Sequence, residues 1–592
     1  MLYWKTVNQA LARPRSSGTK GVEARFWVLI IAIFIIGAVV VLRLAKLQVF
    51  DHQMYEVLAS DQHDLKVKIM PNRGRILIKD KSDGKLYPLA ANREAWLVFA
   101  TPKAMTDPVK VAHELAPILN IADVDLIAKL SVPNDQYEVL AKDIPYETVQ
   151  KIKDLQLEGV GFTVQNARLY PESNMGGQEV GLVTYNDQGD LVGRYGIESS
   201  YQDVLAGRPG TLESEKDKTG RRIIFADQTF HEAVDGADII LTLDRAIQYK
   251  ACDRIRQGVI DYEADNGTIL IMDPRTGAIM AMCSYPDFDP GNLKEVKDVG
   301  VFNNPAVFTA YEPGSVFKAI TMASGIEAGK VNPKTTYVDT GLEKIDDHEI
   351  KNSDGKANGV QSMQQVMEKS LNTGVIFVQR LLGKPLFKDY VKKFGFGQKT
   401  NIGLKPEAAG DISSLEKKGD IWAATASFGQ GITATPIQLL AAYGALANQG
   451  KMMRPYIVSE VDYPDGRHEV TKPEVMSQPV SSRAARLMSG ILVSVVENGH
   501  GKKAGVPGYW IAAKTGTAQV AKKNGAGYEA NEIKATMAGY APADDPEFVM
   551  LVKFDNPRKA DWAETCAAPV FGDMAAYTLQ YLNVKPVREL AR

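Results

Sequence analysis

A serine followed three residues later by a lysine is the pair in this chain best suited to covalent chemistry. Residues i and i+3 share one face of a helix, so a helix that begins at Ser315 brings the Lys318 amine to the Ser315 hydroxyl. A hydroxyl attacks well once a base takes its proton, and a lysine serves as that base when burial or another cation lowers its pKa. Pro313-Gly314 breaks the chain just before this helix. The spacing therefore predicts a nucleophilic serine with an adjacent base.

Ser-x-x-Lys alone is a weak signal because both residue types are common. The pattern occurs five times, beginning at Ser17, Ser82, Ser315, Ser353 and Ser414. Four copies lie in polar, glycine-rich or charged surroundings, where solvated side chains are expected. Only the copy at Ser315 begins an apolar helical pattern, which predicts that it is packed in a core.

Two short motifs downstream of Ser315 strengthen the prediction. Ser370-x-Asn372 occurs once, and Lys514-Thr515-Gly516 follows it in a stretch with the small and apolar residues of a strand. A second Lys-Thr-Gly, Lys218 to Gly220, precedes the nucleophile within a charged run and is predicted to be a solvated loop. The ordered set of three motifs is the one found in penicillin-binding proteins and class A β-lactamases.

Length and composition exclude several classes of protein. A chain of 592 residues is too long for one ordinary domain, and we expect two to four. A net charge of −2 argues against nucleic-acid binding. The seven histidines are scattered without ligand spacing, which argues against a metal site. Three cysteines, Cys252, Cys283 and Cys566, show no metal or redox spacing and are interpreted as small buried hydrophobic residues.

The N-terminal region predicts a single membrane anchor. Residues 1–25 form a basic tail, and the run from Phe26 to Leu42 carries no charge, spanning about 25 Å as a helix. Snorkelling of Arg43 and Lys46 extends the predicted span to 26–47. The run is longer than the apolar core of a signal peptide, and no small-residue cleavage site follows it. The positive-inside rule places the tail in the cytoplasm and the rest of the chain outside, in a single-pass topology.

The remaining chain reads as two α+β regions and a short tail at 586–592. Residues 48–235 mix short strands and helices without a catalytic constellation, which is typical of a spacer or dimerisation-type module. Residues 236–585 have strands at both ends and helices between them, which predicts one antiparallel sheet covered by helices. The predicted elements of this region include strand 238–243, helix 245–260, hairpins 268–282 and 536–554, and helix 567–582.

Nearly the whole chain resembles the class B penicillin-binding proteins, which are monofunctional D,D-transpeptidases of peptidoglycan synthesis. Besides the three motifs, the resemblance rests on segments at Asn72–Ile76, Gly196–Glu198, Leu241–Asp244 and Gly429–Gly431. The departures are small: a longer loop follows Ile78, and Leu371 stands where relatives often carry serine or aspartate. The resemblance implies a serine β-lactamase-like transpeptidase domain, an elongated non-catalytic pedestal and one transmembrane helix.

The resemblance also implies a role for each residue of the first two motifs. Ser315 would attack the carbonyl between the two terminal D-alanines of a stem peptide, leaving an acyl-enzyme and releasing the last alanine. Lys318, kept neutral by burial and by nearby Lys514, would be the general base. Ser370 would relay the proton to the leaving amine, and Asn372 would hold Lys318 and the amide of the donor peptide.

The third motif would bind the donor's terminal carboxylate. Lys514 would attract that charge, and the hydroxyls of Thr515 and Thr517, on either side of Gly516, would donate hydrogen bonds to it. The oxyanion hole would be the backbone N–H groups of Ser315 and Thr517. An amine from a neighbouring strand would then take the acyl group, with no cofactor, and β-lactams would acylate Ser315 as mimics of D-Ala-D-Ala.

Four other functions fit part of the pattern. A bifunctional enzyme needs a glycosyltransferase domain after the anchor, and the sequence lacks its Glu-Asp-x-x-Phe type motif. The anchor and the long pedestal argue against a β-lactamase or a carboxypeptidase, and intact motifs argue against a scaffold as the sole role. Within the family, Tyr311 to Ser315 resembles the division type more than the elongation type, whose partner glycosyltransferase of the SEDS family differs accordingly.

Overall fold

The computed structural model describes residues 20–52, 64–173, 175–186, 190–215, 229–522 and 527–588. Residues 1–19 of the predicted tail and the copy of Lys-Thr-Gly at Lys218 lie outside these ranges. The chain forms two compact units, one of Met1–Met70 with Pro209–Ala233 and one of Pro71–Arg208 with Val234–Arg592.

The strands are numbered in chain order. They are β1 Asp64–Ile69, β2 Ile76–Lys79, β3 Leu86–Ala100, β4 Glu138–Ile144, β5 Val160–Leu169, β6 Leu182–Tyr185, β7 Leu191–Arg194, β8 Gly210–Glu215, β9 Thr229–His231, β10 Asp238–Asp244, β11 Asn266–Met272, β12 Ile279–Tyr285, β13 Thr336–Asp339, β14 Leu342–Ile345, β15 His348–Lys351, β16 Gly359–Ser362, β17 Met452–Met453, β18 Val458–Asp462, β19 His468–Val470, β20 Val475–Ser477, β21 Ala512–Ala521, β22 Tyr528–Ala541 and β23 Phe548–Asp555.

The α-helices lie mainly in the second unit. They are Lys20–Ala45, Pro108–Leu119, Asp123–Leu130, Tyr146–Asp154, Gly177–Val180, Gly196–Ser200, Gln202–Leu205, Arg245–Asp261, Pro305–Phe308, Lys318–Glu327, Met363–Glu368, Asn372–Leu382, Lys384–Lys393, Ile421–Ala426, Pro436–Ala447, Ser482–Asn498 and Ala567–Tyr581.

The first unit contains a long apolar helix and a small sheet. The helix Lys20–Ala45 continues as one π-helical turn, Lys46–Phe50, and most of its large apolar side chains from Phe26 to Leu44 are exposed. Within the described ranges, this is the one helix both long and apolar enough to cross a membrane. Strands β1, β8 and β9 pair antiparallel in the order β1-β8-β9.

A five-stranded antiparallel sheet forms the centre of the second unit, in the order β12-β11-β23-β22-β21. Alternate residues of its strands face two hydrophobic layers. One layer contains the helices Arg245–Asp261 and Ala567–Tyr581, and the other contains Lys318–Glu327, Pro436–Ala447 and Ser482–Asn498. The predicted α+β architecture, with an antiparallel sheet covered by helices, is confirmed.

A second sheet combines strands from both regions that the sequence predicted as separate. Its order is β19-β18-β10-β2-β3-β4, with β5 also pairing with β3. Strand β10 pairs parallel with β2 and antiparallel with β18. The predicted boundary at 235/236 therefore falls just before a strand that is shared between the two regions.

Two of the three cysteines are bonded to each other. Cys252 on the helix Arg245–Asp261 and Cys283 on β12 form a disulfide with Cα atoms 5.2 Å apart, whereas Cys566 is free and buried. The interpretation of all three as small buried hydrophobic residues is therefore wrong for this pair. The two cysteines are 31 residues apart in sequence, and only packing of the helix on β12 brings them together.

A buried charge cluster joins the early and late segments of the pedestal. Arg73 Nε donates to Glu198 Oε2 at 2.6 Å, and Arg168 Nε donates to Glu198 Oε1 at 2.7 Å. All three side chains are nearly inaccessible to solvent. Both carboxylate oxygens of Glu198 are thus paired with guanidinium groups, which is what burial of a charge requires.

Candidate active site

Ser315 lies in a tight turn that leads into a buried helix. The turn Gly314–Phe317 is 3₁₀-helical and continues directly into the α-helix that begins at Lys318, so the helix predicted to begin at Ser315 is present but its first turn is 3₁₀. Gly314 in this turn has φ +61° and packs so closely that an added Cβ would lie 2.9 Å from Ala518 Cβ. The turn therefore packs directly against the strand of the third motif.

Lys318 is fully buried and points to the second motif. Its Nζ donates to the Ser370 carbonyl at 2.5 Å and to Ser370 Oγ at 3.2 Å. Among the described residues, no hydrogen bond joins Lys318 to Ser315. Ser370 has φ +55°, a backbone conformation that residues other than glycine rarely adopt. Such backbone strain, concentrated at functional sites, turns both oxygens of Ser370 toward the lysine.

Lys514, on β21, reaches the same hydroxyl from the other side. Its Nζ donates to Ser370 Oγ at 3.1 Å and to the Thr515 carbonyl at 2.9 Å, and its side chain is fully buried. Gly516 permits β21 to pack directly on the turn of Ser315, because an added Cβ would lie 2.9 Å from the backbone nitrogen of Val316. The hydroxyl of Ser370 therefore lies between two lysine amines.

Burial disfavours the charged form of both lysines. Burial, with a further contribution from the charge of Lys514, holds the pKa of Lys318 well below its ordinary value. Burial also lowers the pKa of Lys514 to about 7, against an opposing effect of the Glu564 carboxylate. The arrangement thus favours a neutral Lys318. Lys514 is mostly protonated below about pH 7 and mostly neutral above it.

A cavity of about 320 Å³ opens beside these groups. It brings Ser315 together with Ser370, Thr515 and Thr517. Six further residues line it that the sequence motifs do not include: Ser353, Asp354, Lys369, His500, Trp562 and Glu564. His500 follows the helix Ser482–Asn498, and Trp562 and Glu564 follow β23. These residues are far in sequence from Ser315, so no local spacing identifies them. Ser353 begins one of the other Ser-x-x-Lys copies, which sequence reasoning set aside as solvated.

Asn372 has a different partner from the one that the resemblance implied. Its side-chain amide donates to the Lys351 carbonyl at 2.8 Å, and none of the hydrogen bonds among the described residues joins it to Lys318. Asn372 begins the helix Asn372–Leu382, and Leu371 before it is buried. The amide therefore attaches the second motif to the end of β15.

Asp339 accepts hydrogen bonds from residues on both sides of the second motif, in the loop 352–358 and at Thr373. Its Oδ1 accepts from Thr373 Oγ1 at 2.7 Å, and its Oδ2 accepts from the backbone and side chain of Asn358 at 3.0 and 2.8 Å. Asn352 Nδ2 contacts both oxygens. Burial alone would raise the pKa of Asp339, but these hydrogen bonds outweigh it and lower the pKa. The ionised carboxylate thus joins the cavity loop 352–358 to the helix of the second motif.

Comparisons with known proteins agree with this geometry. Residues 267–576 match the family described as the penicillin-binding protein transpeptidase domain, and residues 68–241 match the penicillin-binding protein dimerisation domain. Stage V sporulation protein D of Bacillus subtilis is 34% identical over 92% of this chain and 83% of its own length. Peptidoglycan D,D-transpeptidase FtsI of Escherichia coli is 29% identical over 92% of this chain and 89% of its own length.

Solved structures show the same fold. Penicillin-binding protein 2X of Streptococcus thermophilus superposes with a TM-score of 0.72 at 25% identity, covering 88% of this chain and 81% of its own. Penicillin-binding protein 3 of Mycobacterium tuberculosis, complexed with aztreonam, superposes with a TM-score of 0.66 at 26% identity and covers 89% of this chain and 100% of its own.

Proposed function

Because this chain belongs to the class B penicillin-binding proteins, we propose that it is a peptidoglycan D,D-transpeptidase whose acyl-enzyme forms on Ser315. The observation that carries the residue assignment is the convergence of Lys318 and Lys514 on the hydroxyl of Ser370, which lines one cavity with Ser315. The substrate is the D-Ala-D-Ala end of a stem peptide, and β-lactams are the corresponding inhibitors.

In the first half-reaction, neutral Lys318 takes the proton of Ser315, and Oγ forms a bond to the penultimate D-Ala carbonyl carbon. The peptide bond then breaks, and Ser370 passes a proton to the leaving amine of the last D-Ala. The 3.2 Å and 3.1 Å contacts of its hydroxyl with the two lysines support this relay. Asn372 supports the second motif by its bond to the Lys351 carbonyl.

Lys514, Thr515 and Thr517 bind the terminal carboxylate of the donor. Both threonines line the cavity beside Ser315, and the close approach that Gly516 allows keeps their strand against the nucleophile turn. The N–H groups of Ser315 and Thr517 form the oxyanion hole in this assignment. Loss of one such donor in other acyl-transfer enzymes costs about 10²–10³ in rate.

The proposed domain organisation and membrane topology follow from the same family assignment. We place the transpeptidase domain at 236–585, the pedestal at 48–235 and a single anchor in the apolar helix, with the basic tail cytoplasmic. The disulfide between Cys252 and Cys283 supports a catalytic domain outside the cytoplasm, because disulfides persist in oxidising compartments. A septal role and a SEDS-family glycosyltransferase partner complete the proposal, and both rest on the resemblance of Tyr311 to Ser315 to the division type.

Covalent labelling tests the assignment of Ser315. The full-length protein in detergent is incubated with a fluorescent penicillin, and the modified peptide is mapped by mass spectrometry. We expect a stable adduct on Ser315 that is absent from Ser315→Ala. The control Ser82→Ala, which removes the hydroxyl of another Ser-x-x-Lys sequence, should label like the wild type. An adduct elsewhere, or none, would refute the assignment, and rapid drug turnover would indicate a β-lactamase.

A further inference from the structure

The second half-reaction poses a charge problem that the three motifs do not solve. The acyl acceptor is an amine, and a primary alkyl amine carries a proton at neutral pH because its pKa lies near 10. The motifs contribute hydroxyl groups to the cavity wall, with the Lys514 amine buried behind Ser370 Oγ, which suits the donor's carboxylate and offers an ammonium group no negative charge. A cation that enters this cavity therefore requires a carboxylate on another part of the wall.

Glu564 supplies such a carboxylate beside the third motif. It lines the cavity with Ser315, and the Ala563 N–H next to it donates to Thr517 Oγ1 at 3.1 Å, which fixes this segment against β21. Its side chain is 35% accessible to solvent. Glu564 also acts electrostatically on Lys514, since its charge raises the pKa of that amine.

His500 holds one oxygen of this carboxylate and leaves the other available. His500 Nδ1 lies 3.2 Å from Glu564 Oε2, and His500 also lines the cavity. Within the described part of the chain, Oε1 of Glu564 has no hydrogen-bond partner. The second carboxylate of the wall, Asp354, is more exposed, and its Oδ1 already accepts from the Lys356 N–H. Glu564 is therefore the better site for a cation.

We propose that Glu564 binds the ammonium group of the acyl acceptor and that His500 is a positioning residue for it. This inference rests on the proposed transpeptidase function. The bound ammonium loses one proton to water, and its nitrogen forms a C–N bond to the acyl carbon on Ser315. The ester C–O bond breaks, and a second proton of the nitrogen returns to Ser315 Oγ through Lys318, so the serine is regenerated and the amide cross-link forms.

The partition of the acyl-enzyme between acceptors tests this assignment independently of acylation. The full-length protein reacts with a thioester analogue of the donor, and the products of a diamino acid, methanol and water are quantified. In Glu564→Gln we expect the yield of amide relative to hydrolysis to fall about fivefold, the size of a partly exposed charge pair. The yield of methyl ester relative to hydrolysis should stay unchanged, because methanol carries no charge.

Three further variants separate the effect of the Glu564 charge from structural effects. Glu564→Asp keeps the negative charge and should restore most of the amide yield, whereas His500→Gln should lower it by less than Glu564→Gln. Asp123→Asn removes the carboxylate of another exposed pair, His113–Asp123, on the pedestal and should have no effect. An unchanged amide yield in Glu564→Gln, or an equal fall in amide and ester, would overturn the inference. Failure of the wild type to acylate at Ser315 would overturn the proposed function as well.

Discussion

At the scale of single residues, the hydroxyl of Ser370 couples the protonation states of Lys318 and Lys514. Ser370 Oγ accepts hydrogen bonds from Lys318 at 3.2 Å and from Lys514 at 3.1 Å. In a buried site of low dielectric, two ammonium groups sharing one acceptor repel each other strongly. The site therefore favours one neutral amine that acts as base and one charged amine that binds a carboxylate.

This division of roles predicts a bell-shaped pH dependence for acylation. The second-order rate constant for acylation by a penicillin should rise as Lys318 loses its proton, at a pH well below the ordinary lysine pKa. It should fall by about 50-fold between pH 7 and pH 9, because Lys514, with a pKa of about 7, loses the charge that attracts the carboxylate. Stopped-flow acylation across this pH range measures both limbs.

Lys514→Arg provides the control for the alkaline limb. An arginine keeps its charge throughout this pH range, so the variant should lack the fall above pH 7 even if its overall rate is lower. An identical alkaline limb in the variant and the wild type would show that another group titrates.

At the scale of elements, the site depends on a few points where backbones meet closely. Gly314 packs on Ala518, and Gly516 packs on Val316, so the nucleophile turn and β21 are held in contact without intervening side chains. The second motif is held instead by polar bonds, from Asn372 to the end of β15 and from Thr373 to Asp339. These two kinds of attachment place three motifs, far apart in sequence, around one cavity.

Asp339→Asn should weaken the attachment of the second motif. The substitution places an amide NH₂ among hydrogen-bond donors, so we expect the free energy of unfolding to fall by about 2–3 kcal/mol and acylation to slow. The lowered pKa of Asp339 has a further consequence. Its stabilisation is present above the unfolded-state pKa and is lost as the pH falls through the folded-state pKa, so the variant should lack this acid-sensitive component.

Denaturant unfolding at several pH values measures the effect of Asp339→Asn, with penicillin labelling as the second readout. Asp347→Asn, in the exposed turn between β14 and β15, is the matched control and should stay within about 0.5 kcal/mol of the wild type. Equal stability of Asp339→Asn and the control would contradict the role given to this network.

At the scale of the whole second unit, the pedestal base and the catalytic region share one core. Strand β10 lies between β2 and β18, and apolar residues of β2 belong to the same hydrophobic cluster as the helix Lys318–Glu327. Polar bonds cross the same junction, since Asn304 Nδ2 donates to Glu179 Oε1 at 2.6 Å. We therefore expect these parts to unfold together.

Glu198→Gln tests this coupling from the pedestal side. The substitution leaves two buried guanidinium groups without their carboxylate, and we expect the free energy of unfolding to fall by about 3–5 kcal/mol. Because the core is shared, penicillin binding should be lost at the same lowered temperature as secondary structure. Circular dichroism and labelling of heated samples make the comparison.

Glu138→Gln is the control for this substitution. It removes a partner from the exposed pair Lys129–Glu138 and should change stability by less than about 1 kcal/mol. Penicillin binding by Glu198→Gln that survives the loss of pedestal structure would contradict the coupling of the two regions.

The sequence by itself determined the features that depend on local order. Apolar periodicity and turn residues located the strand β10, the hairpin of β11 and β12 and the final helix to within a few residues. They also located the hairpin of β22 and β23, although β22 begins at Tyr528, well before the predicted Thr536. The spacing of Ser315 and Lys318, and the order of the motifs after them, identified the family and its covalent chemistry, because chemically reactive groups must occur as fixed residue types.

Tertiary structure alone decided the features that depend on contacts between distant segments. Packing of a helix on β12 joined Cys252 to Cys283, and packing of β21 placed Gly516 against the turn of Ser315. Loops after separate elements brought His500 and Glu564 to the cavity. Such contacts leave no periodic or motif signal in the sequence, because each residue is placed by the packing of an element that lies elsewhere in the chain.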